Sequence, residues 1–322
     1  MSYRQKRHFL SGNGTHTLVI GGGGYIGMHL IPVLLDTGRH VTILDRKKKL
    51  LHKLPEEVEY IAGDFGRRDL IKELLDRHQE VIDLAYASVP YTSFEHPFED
   101  LLQNLPPAVQ LFSEIAAKGR KLVMISSGGT VYGEAITLPI REDHPTRPIS
   151  PYGVTKLTLE NYAHLYAVTH DLKFVCIRPS NAFGAGQRPF VGQGFIATAM
   201  ASIMRGQPVR LFGQKGTIRD YIYISDLAAG IVGALERGHI SATYNLGSGT
   251  GLSNMDVIEA MIPIMEEIGC KAHVEHLPDR IFDVKVNILD SEKIKDHTGW
   301  KPKIKFGEGL LRTREWLRNY YG

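Results

Sequence analysis

The feature that most constrains this chain is a glycine-rich turn between an apolar strand and an amphipathic helix. The strand sequence "TLVIG" runs into "GGGYIGMHL", which places glycines at positions 21, 24 and 27. In such a turn Gly21 permits a tight reversal, Gly24 lets the backbone approach a pyrophosphate, and Gly27 lets the helix pack on the strand. The helix N-terminus then faces the phosphates. The turn predicts a dinucleotide site, with Tyr25 and Ile26 as further contacts at the helix start.

An acidic residue at the end of the second strand indicates which dinucleotide binds. Asp45 closes "HVTILD", 18 residues after Gly27. Its carboxylate suits the hydroxyls of an adenosine ribose and repels a 2′-phosphate, so NAD is favoured over NADP. Arg46 and Lys47 follow directly and weaken this preference, and Arg46 is included among the predicted cofactor contacts. Asp64, at the end of the third strand, is either an adenine contact or a solvated loop acid.

Strand and helix patterns alternate through the first half of the chain. The strands are apolar on both faces, which is typical of a parallel sheet covered by helices on both sides. We therefore predict an α/β fold with a Rossmann-type doubly wound parallel sheet. The predicted strands are 17–21, 40–45, 58–64, 80–86, 121–127 and 173–180, and the predicted helices are 25–38, 70–78, 99–119 and 150–171.

The composition of the sequence changes after residue 180, where glycine and proline become frequent and the predicted helices and strands become shorter. We expect an NAD-binding Rossmann domain over 1–180, in which 1–16 form an N-terminal extension. A smaller α/β substrate-binding domain is expected over 181–322. Part of 220–250 is expected to return to the Rossmann sheet, through either "YIYISDLAAG" or "TYNLGSG".

A tyrosine and a lysine open the helix that follows the fifth predicted strand. In "SPYGVTK", Ser150 suits an N-cap, Pro151 suits the first helical position, and Tyr152 and Lys156 are four residues apart on one helix face. Ligands of such sheets bind beyond the carboxyl ends of the strands, which brings this pair to the nicotinamide. A lysine beside the phenol, near a cationic nicotinamide, is expected to lower the pKa of Tyr152 and make it a general base. The alternative is an ordinary helix surface.

Bulk properties exclude several classes of partner. The formal net charge of +3 is too small and too evenly spread to indicate a nucleic-acid-binding protein. No apolar run reaches the roughly 18 residues of a membrane span. The two cysteines, Cys176 and Cys270, form no disulfide framework, which favours a reducing compartment and a cytoplasmic protein. No metal site is predicted.

Motifs spread along nearly the whole chain resemble those of the extended short-chain dehydrogenase/reductase superfamily. They include "GGGGYIG", "SSGGTVYG", "SPYGVTK", "RPSNAFGAGQRP" and "RDYIYISDL". More narrowly, the chain resembles the NAD-dependent nucleotide-sugar epimerase/dehydratase family. The resemblance implies an NAD-dependent 4-epimerase acting on a UDP-hexose, either UDP-glucose and UDP-galactose or their N-acetyl forms.

The resemblance also implies roles for individual residues. Tyr152 would be the general base, and Lys156 would bind the nicotinamide ribose. Asn181 lies where the family contacts the sugar-nucleotide diphosphate. Two arginines would grip that diphosphate and an aspartate would reach the uridine ribose, and these residues are Arg219, Arg280 and Asp283. Arginine suits the first role because its planar fork of donors matches phosphate oxygens.

One expected hydroxyl is missing from "SSGGTVYG". In the family, a serine or threonine four residues before the tyrosine of "VYG" helps to hold the sugar O4, but here that position is Gly128. Ser127 and Thr130 flank the gap, and either is a candidate replacement. A water in the space of the missing side chain is a third possibility, and Ser126 and Ser127 are also placed to bond backbone at the strand end.

Other departures bear on the reaction. Dehydratases of the family carry an Asp-Glu pair where this chain has Gly129 and Thr130, which argues against elimination of water. Tyr86 stands where relatives often have a small glycine, so the floor of the pocket is expected to differ.

Two prolines affect the expected oligomer. Pro106 and Pro107 are expected to kink or restart the helix over 99–119. The resemblance implies a homodimer formed through helices 100–118 and 152–170.

Two rival functions stay open at this stage. The first is a UDP-uronic acid epimerase or decarboxylase of the same fold. It needs a cation or a set of hydroxyls near the sugar carboxylate, and Arg188 is a candidate. The second is a non-catalytic nucleotide-sugar-binding protein, which Gly128 motivates and which the presence of both Tyr152 and Lys156 disfavours.

Overall fold

The computed structural model describes residues 14–48, 50, 53–278 and 284–321. Most of the predicted N-terminal extension, residues 1–13, lies outside this part of the chain. The first half alternates strands and helices: β1 (His16–Ile20), α1 (Tyr25–Asp36), β2 (His40–Asp45), β3 (Glu59–Ala62), α2 (Arg68–Arg77), β4 (Glu80–Asp83), α3 (Pro90–Glu95), α4 (Pro97–Ala117), β5 (Lys121–Ile125), α5 (Pro151–His170) and β6 (Lys173–Pro179).

The second half has shorter elements. They are β7 (Asn181–Phe183), α6 (Phe195–Met204), β8 (Val209–Phe212), β9 (Ile218–Tyr223), α7 (Ile224–Arg237), β10 (Ala242–Leu246), β11 (Gly251–Ser253), α8 (Asn254–Glu266), β12 (Val274–Leu277), β13 (Val286–Asn287), α9 (Glu292–Thr298) and α10 (Phe306–Tyr321).

Seven of the described strands form one parallel sheet in the order β10-β6-β5-β4-β1-β2-β3. The predicted doubly wound α/β fold is confirmed. Strand β10, within the range 220–250, lies at the edge of this sheet beside β6. The other described strands form two small sheets, one around β9 and one that pairs β8 with β12.

Successive side chains of a central strand enter two different cores, because side chains alternate across a sheet. On one face, Val19 of β1 belongs to a core with Leu30 of α1 and Ile231 of α7. On the other face, Leu18 belongs to a core with Leu111 of α4. These strands therefore need apolar residues on both faces, as the sequence shows.

Helix α4 runs without interruption through Pro106 and Pro107, so the predicted restart of this helix is wrong. The two missing N–H groups would have bonded the carbonyl groups of Leu102 and Gln103. Both of these residues are exposed, so water can satisfy their carbonyl groups. Buried side chains on the next turns, such as Leu111, hold the helix against its neighbours.

No helix in the described ranges combines the length and the apolar character that crossing a bilayer requires.

Candidate active site

A cleft of about 830 Å³ opens at the carboxyl ends of the central strands. Strand β1 pairs with β2 on one side and with β4 on the other, so the strand order reverses at β1. Connections leave in opposite directions at such a point and create a crevice. The glycine turn, the ends of β4, β5 and β6, and the start of α5 line the cleft.

Local packing explains the glycine turn. Gly21 has a φ of +74°, and a Cβ there would lie 2.9 Å from the backbone of Ala85. A Cβ on Gly27 would overlap the carbonyl group of Gly22, so helix α1 can approach β1 only without a side chain. Gly24 is less crowded, since a Cβ there would meet only a carbonyl oxygen at 3.3 Å. The turn therefore brings bare backbone to the cleft at the N-terminus of α1.

Asp45 lies against this turn. Its Oδ2 accepts a hydrogen bond from the N–H of Gly23 at 3.0 Å, and its Oδ1 accepts one from the N–H of Lys47 at 3.0 Å. Each carboxylate oxygen keeps a second lone pair for a ribose hydroxyl. Lys47 lines the cleft, whereas Arg46 is exposed outside it. Asp64 is exposed and accepts a hydrogen bond from the N–H of Gly66 at 2.8 Å, which places it in its own turn.

Helix α5 begins at the cleft because of its capping residues. Ser150 is the N-cap, and its Oγ accepts a hydrogen bond from a first-turn N–H at 3.1 Å. Pro151 fills the first helical position, where no N–H is needed. The N–H of Tyr152 donates to the Oγ of Ser93 at 3.2 Å. Tyr152 and Lys156 are thereby both presented to the cleft, one turn apart.

Of the two hydroxyls that the sequence left open, Ser127 is the one beside the tyrosine. Its side chain lies close enough to the phenol of Tyr152 to lower the pKa of that phenol. The Oγ1 of Thr130 is buried and finds no hydrogen-bond partner within the described ranges. The Oγ of Ser126 is also committed elsewhere, because it donates to the carboxylate of Glu160. The geometry thus favours Ser127.

The position of the missing hydroxyl is packed with protein atoms. A Cβ on Gly128 would lie 2.5 Å from Cδ1 of Leu289, 2.9 Å from the carbonyl oxygen of Arg178 and 3.0 Å from that of Pro179. Leu289 is fully buried. The alternative of a water in the space of a missing side chain is therefore wrong, because that space does not exist.

Lys156 is almost fully buried, and two groups hold its ammonium. Its Nζ donates to the carbonyl oxygen of Ile125 at 2.8 Å and lies 3.9 Å from the centroid of the Tyr86 ring. The same Nζ is 5.7 Å from the centroid of the Tyr152 ring. The residue predicted only to alter the pocket floor, Tyr86, is thus a direct neighbour of both members of the pair.

Burial has the largest effect on the electrostatics of the pair. Burial, followed by the nearby carboxylate of Asp100, raises the pKa of Tyr152, and the hydrogen bond with Ser127 lowers it by less. In the chain alone, burial thus outweighs the effect of Ser127. The expected depression of the phenol pKa involves Lys156 together with a cationic nicotinamide and stays a prediction. Burial also lowers the pKa of Lys156 to about 8, although neighbouring carboxylates, Asp83 foremost, oppose this.

The residues expected to hold a sugar nucleotide are only partly within the described chain. Asn181, at the start of β7, and Arg219, in β9, both line the cleft. The guanidinium of Arg219 donates to the carbonyl oxygen of Ile218 at 3.0 Å. Arg188 lines the cleft and is exposed. Two further predicted contacts, Arg280 and Asp283, lie outside the described residues.

Residues 17–247 match the model of the NAD dependent epimerase/dehydratase family. The chain belongs to this family. The UDP-glucose 4-epimerase of Mycolicibacterium smegmatis is 31% identical over 312 residues, which cover 94% of this chain and 98% of that protein.

Solved structures of epimerases share the fold of this family member. The Thermotoga maritima UDP-glucose 4-epimerase with UDP-glucose has a TM-score of 0.89 at 28% identity, covering 96% of this chain and 100% of that chain. The Thermus thermophilus UDP-glucose 4-epimerase in complex with NAD has a TM-score of 0.86 at 31% identity, covering 94% and 99%. The predicted family and its NAD cofactor are thereby confirmed.

The residues of this family member fit NAD. The bare backbone of the turn at Gly21 and Gly24 provides N–H groups for a pyrophosphate, at the positive end of helix α1. The carboxylate of Asp45, bonded to Gly23, lies at the same turn and suits the hydroxyls of an adenosine ribose. The cleft continues from this turn to Tyr152 and Lys156, where the nicotinamide half would lie.

Proposed function

We propose that this protein is a UDP-hexose 4-epimerase in which Tyr152 is the acid–base group. The observation that carries the proposal is the convergence of Tyr152, Ser127 and Lys156 in the cleft that contains the glycine turn. NAD, when bound, would supply the chemistry of reversible hydride transfer at C4 of the sugar. The chain must bind the sugar, move one proton at O4 and exclude water.

Tyr152 moves the proton. The nearby Ser127 hydroxyl lowers the pKa of this phenol and so favours its charged form. Burial keeps the phenol protonated until a positive charge comes close, which restricts its ionisation to the loaded site. A cationic nicotinamide ring, bound beside the Lys156 ammonium that is already present, would supply that charge. Ser127 takes the role of the hydroxyl that is missing at Gly128, and it holds O4 and the phenol together.

The remaining site residues position the two ligands. For NAD, we assign the turn from Gly21 to Gly27, with Tyr25 and Ile26, to the pyrophosphate, and Asp45 to the adenosine ribose. Lys156 would bind the nicotinamide ribose, while Arg46 and Asp64 would act only at the outer, adenine end. Asn181 and Arg219 would hold the diphosphate of the sugar nucleotide, since both line the cleft. Arg280 would also hold the diphosphate, and Asp283 would reach the uridine ribose, as the resemblance implies.

Epimerisation suits this site better than dehydration. Elimination of water needs a proton donor beside the sugar, and the positions that carry it in dehydratases are Gly129 and Thr130. Glycine has no donor, and the hydroxyl of Thr130 is buried. Arg188 is the residue that would let the same cleft accept a uronic acid, because it lines the cleft and a guanidinium binds carboxylates well.

The test is to incubate the purified protein separately with UDP-glucose, UDP-N-acetylglucosamine and UDP-glucuronate, and to follow each by proton NMR. The proposal predicts a C4 epimer from UDP-glucose or its N-acetyl form without added reductant. Conversion of UDP-glucuronate alone would replace the proposal with the uronic acid alternative. No change in any sample supplied with NAD would contradict the proposal.

We further propose that the protein is a homodimer formed through α4 and α5. Both helices present large apolar side chains to solvent: Phe98, Leu101 and Leu102 on α4, and Val154, Leu165 and Val168 on α5. Val168 is 72% exposed, and several exposed apolar side chains on neighbouring helices are typical of an interaction surface. Sedimentation should show a dimer that Val168→Asp dissociates, whereas the surface control Ile240→Asp should not. A monomeric wild type would contradict this proposal.

The proposed location is the cytoplasm. Both cysteines, Cys176 and Cys270, are free thiols, and Cys176 is buried. A chain that does not use its cysteines for disulfides suits a reducing compartment. Fractionation of cells with an antibody to the protein would test this, and recovery outside the cytoplasm would contradict it.

A further inference from the structure

The ring of Tyr86 lies against both members of the proposed catalytic pair. Its centroid is 3.9 Å from the Nζ of Lys156 and 4.8 Å from the centroid of the Tyr152 ring, with an angle of 67° between the two rings. The first contact places a cation over an aromatic face, and the second is an edge-to-face arrangement. Displacement of Tyr86 would therefore move both Lys156 and Tyr152.

A buried carboxylate fixes Tyr86. The phenol of Tyr86 donates to Asp100, whose two oxygens lie 3.3 and 3.4 Å away. Asp100 is only 2% exposed and also accepts hydrogen bonds from the hydroxyls of Ser88 and, at 2.7 Å, Thr155. Thr155 directly precedes Lys156, so the carboxylate ties helix α4 to the turn of α5 that carries the pair.

We propose that Tyr86 and Asp100 form a positioning unit that holds the Lys156 ammonium and the Tyr152 ring in place for the reaction. This inference rests on the function proposed above. The Tyr86 ring supports the ammonium on one side while the carbonyl oxygen of Ile125 holds it on another. The remaining N–H donor of Lys156 is left for a ligand in the cleft. Asp100 holds the ring and supplies the negative charge behind it.

The negative charge of Asp100 acts on both Lys156 and Tyr152. A carboxylate favours a nearby ammonium and disfavours a nearby phenolate, so it raises the pKa of Lys156 and that of Tyr152. Other groups also face this ammonium: Asp83 at the end of β4, Cys176 in β6, Glu160 in α5, and the Tyr86 and Tyr152 rings. Removal of the Asp100 charge leaves all of these in place.

Substitutions at Tyr86 test the support of the ammonium. Tyr86→Leu in the NAD-loaded enzyme should lower kcat about tenfold, the value of a buried cation–π contact, and leave KM for the UDP-sugar unchanged. Tyr86→Phe keeps the ring but loses its hydrogen bond to Asp100, and it should recover part of that loss. Tyr166→Leu removes a half-buried ring elsewhere on α5 and is the matched control, expected to retain kcat. An unchanged kcat in folded Tyr86→Leu would overturn the proposal.

A titration of Lys156 tests the role of Asp100 without turnover. The NAD-loaded protein is labelled with ¹³C-lysine, and the Lys156 signal is assigned with Lys156→Met. In Asp100→Asn the titration midpoint should fall relative to the wild type, because a charge that favours the ammonium is lost. A midpoint that stays or rises would overturn the proposal. This titration involves no sugar. A negative result would therefore leave the proposed epimerase activity standing, and an absence of epimerase activity would leave the titration interpretable.

Discussion

Restoring the family's hydroxyl by Gly128→Ser is expected to damage the protein without improving catalysis. A Cβ at this position would lie 2.5 Å from Cδ1 of Leu289 and 2.9 and 3.0 Å from the carbonyl oxygens of Arg178 and Pro179. The leucine methyl can rotate away. The two carbonyl oxygens belong to β6 in the central sheet and cannot move without shifting that strand.

The magnitude follows from this packing. Forcing one extra group into a filled core costs about 1–3 kcal/mol in free energy of unfolding. The loop backbone resists a compensating shift, because the N–H of Gly128 donates to the carbonyl oxygen of Pro179 at 2.9 Å and its carbonyl oxygen accepts from Asn287 at 2.9 Å. The new hydroxyl would face Leu289 and β6, so kcat should not rise.

The assay is urea unfolding of Gly128→Ser and of the neighbouring control Gly129→Ala, with kcat measured for the first. A Cβ on Gly129 would meet only Oδ1 of Asn181 at 3.3 Å and Oγ of Ser127 at 4.0 Å, so the control should lose little stability. A Gly128→Ser variant that is as stable as the wild type would contradict the tight packing at this position, and one with a higher kcat would refute the assignment of the hydroxyl role to Ser127.

Three further predictions follow from the same geometry. Ser127→Ala should lower kcat roughly 10²-fold, as expected when a hydrogen-bond donor to the transition state is lost. Thr130→Val should leave kcat nearly unchanged. A larger loss of kcat in Thr130→Val than in Ser127→Ala would assign the role to Thr130 instead. Glu160→Gln should lower the free energy of unfolding by about 3–5 kcal/mol in urea titrations, because it breaks a buried ion pair with Arg178. Turnover should decline as pH rises through about 8, where the Lys156 ammonium, whose pKa burial lowers, loses its proton; a pH–rate profile that stays level to pH 10 would contradict this.

The parts of the fold that depend on local sequence were predictable. The turn at Gly21 to Gly27 needs glycine for steric reasons that act between adjacent elements, so the pattern alone indicated its place. The start of α5 was equally local, because Ser150 and Pro151 satisfy the first turn from within the segment. Apolar residues on both strand faces indicated a doubly covered sheet, which the two cores confirm.

The parts that depend on distant segments were not predictable. The sequence pattern offered two hydroxyls near Gly128, and the choice between them depends on which one the fold brings to Tyr152, a residue on another element. The link between Tyr86 and Asp100 joins a strand end to a helix, and no spacing rule relates such positions. The direction of the Tyr152 pKa shift depends on burial, which the sequence does not give.

Helix α4 shows a different limit of prediction from sequence. Pro106 and Pro107 each break a hydrogen bond, so a local rule predicts an interruption. Tertiary packing of the buried face, including Leu111 and Ile115, keeps the helix continuous and overrides that rule.

The central claim is that Tyr152 moves a proton during turnover, and Tyr152→Phe tests it most directly. The variant keeps the ring that contacts Tyr86 and loses only the hydroxyl. The assay measures turnover of the UDP-sugar. On the same preparation, calorimetry measures the binding of NAD and of the UDP-sugar. We predict that binding persists while kcat falls about 10²–10⁴-fold, the contribution of a general acid–base group. An unchanged kcat would contradict the account.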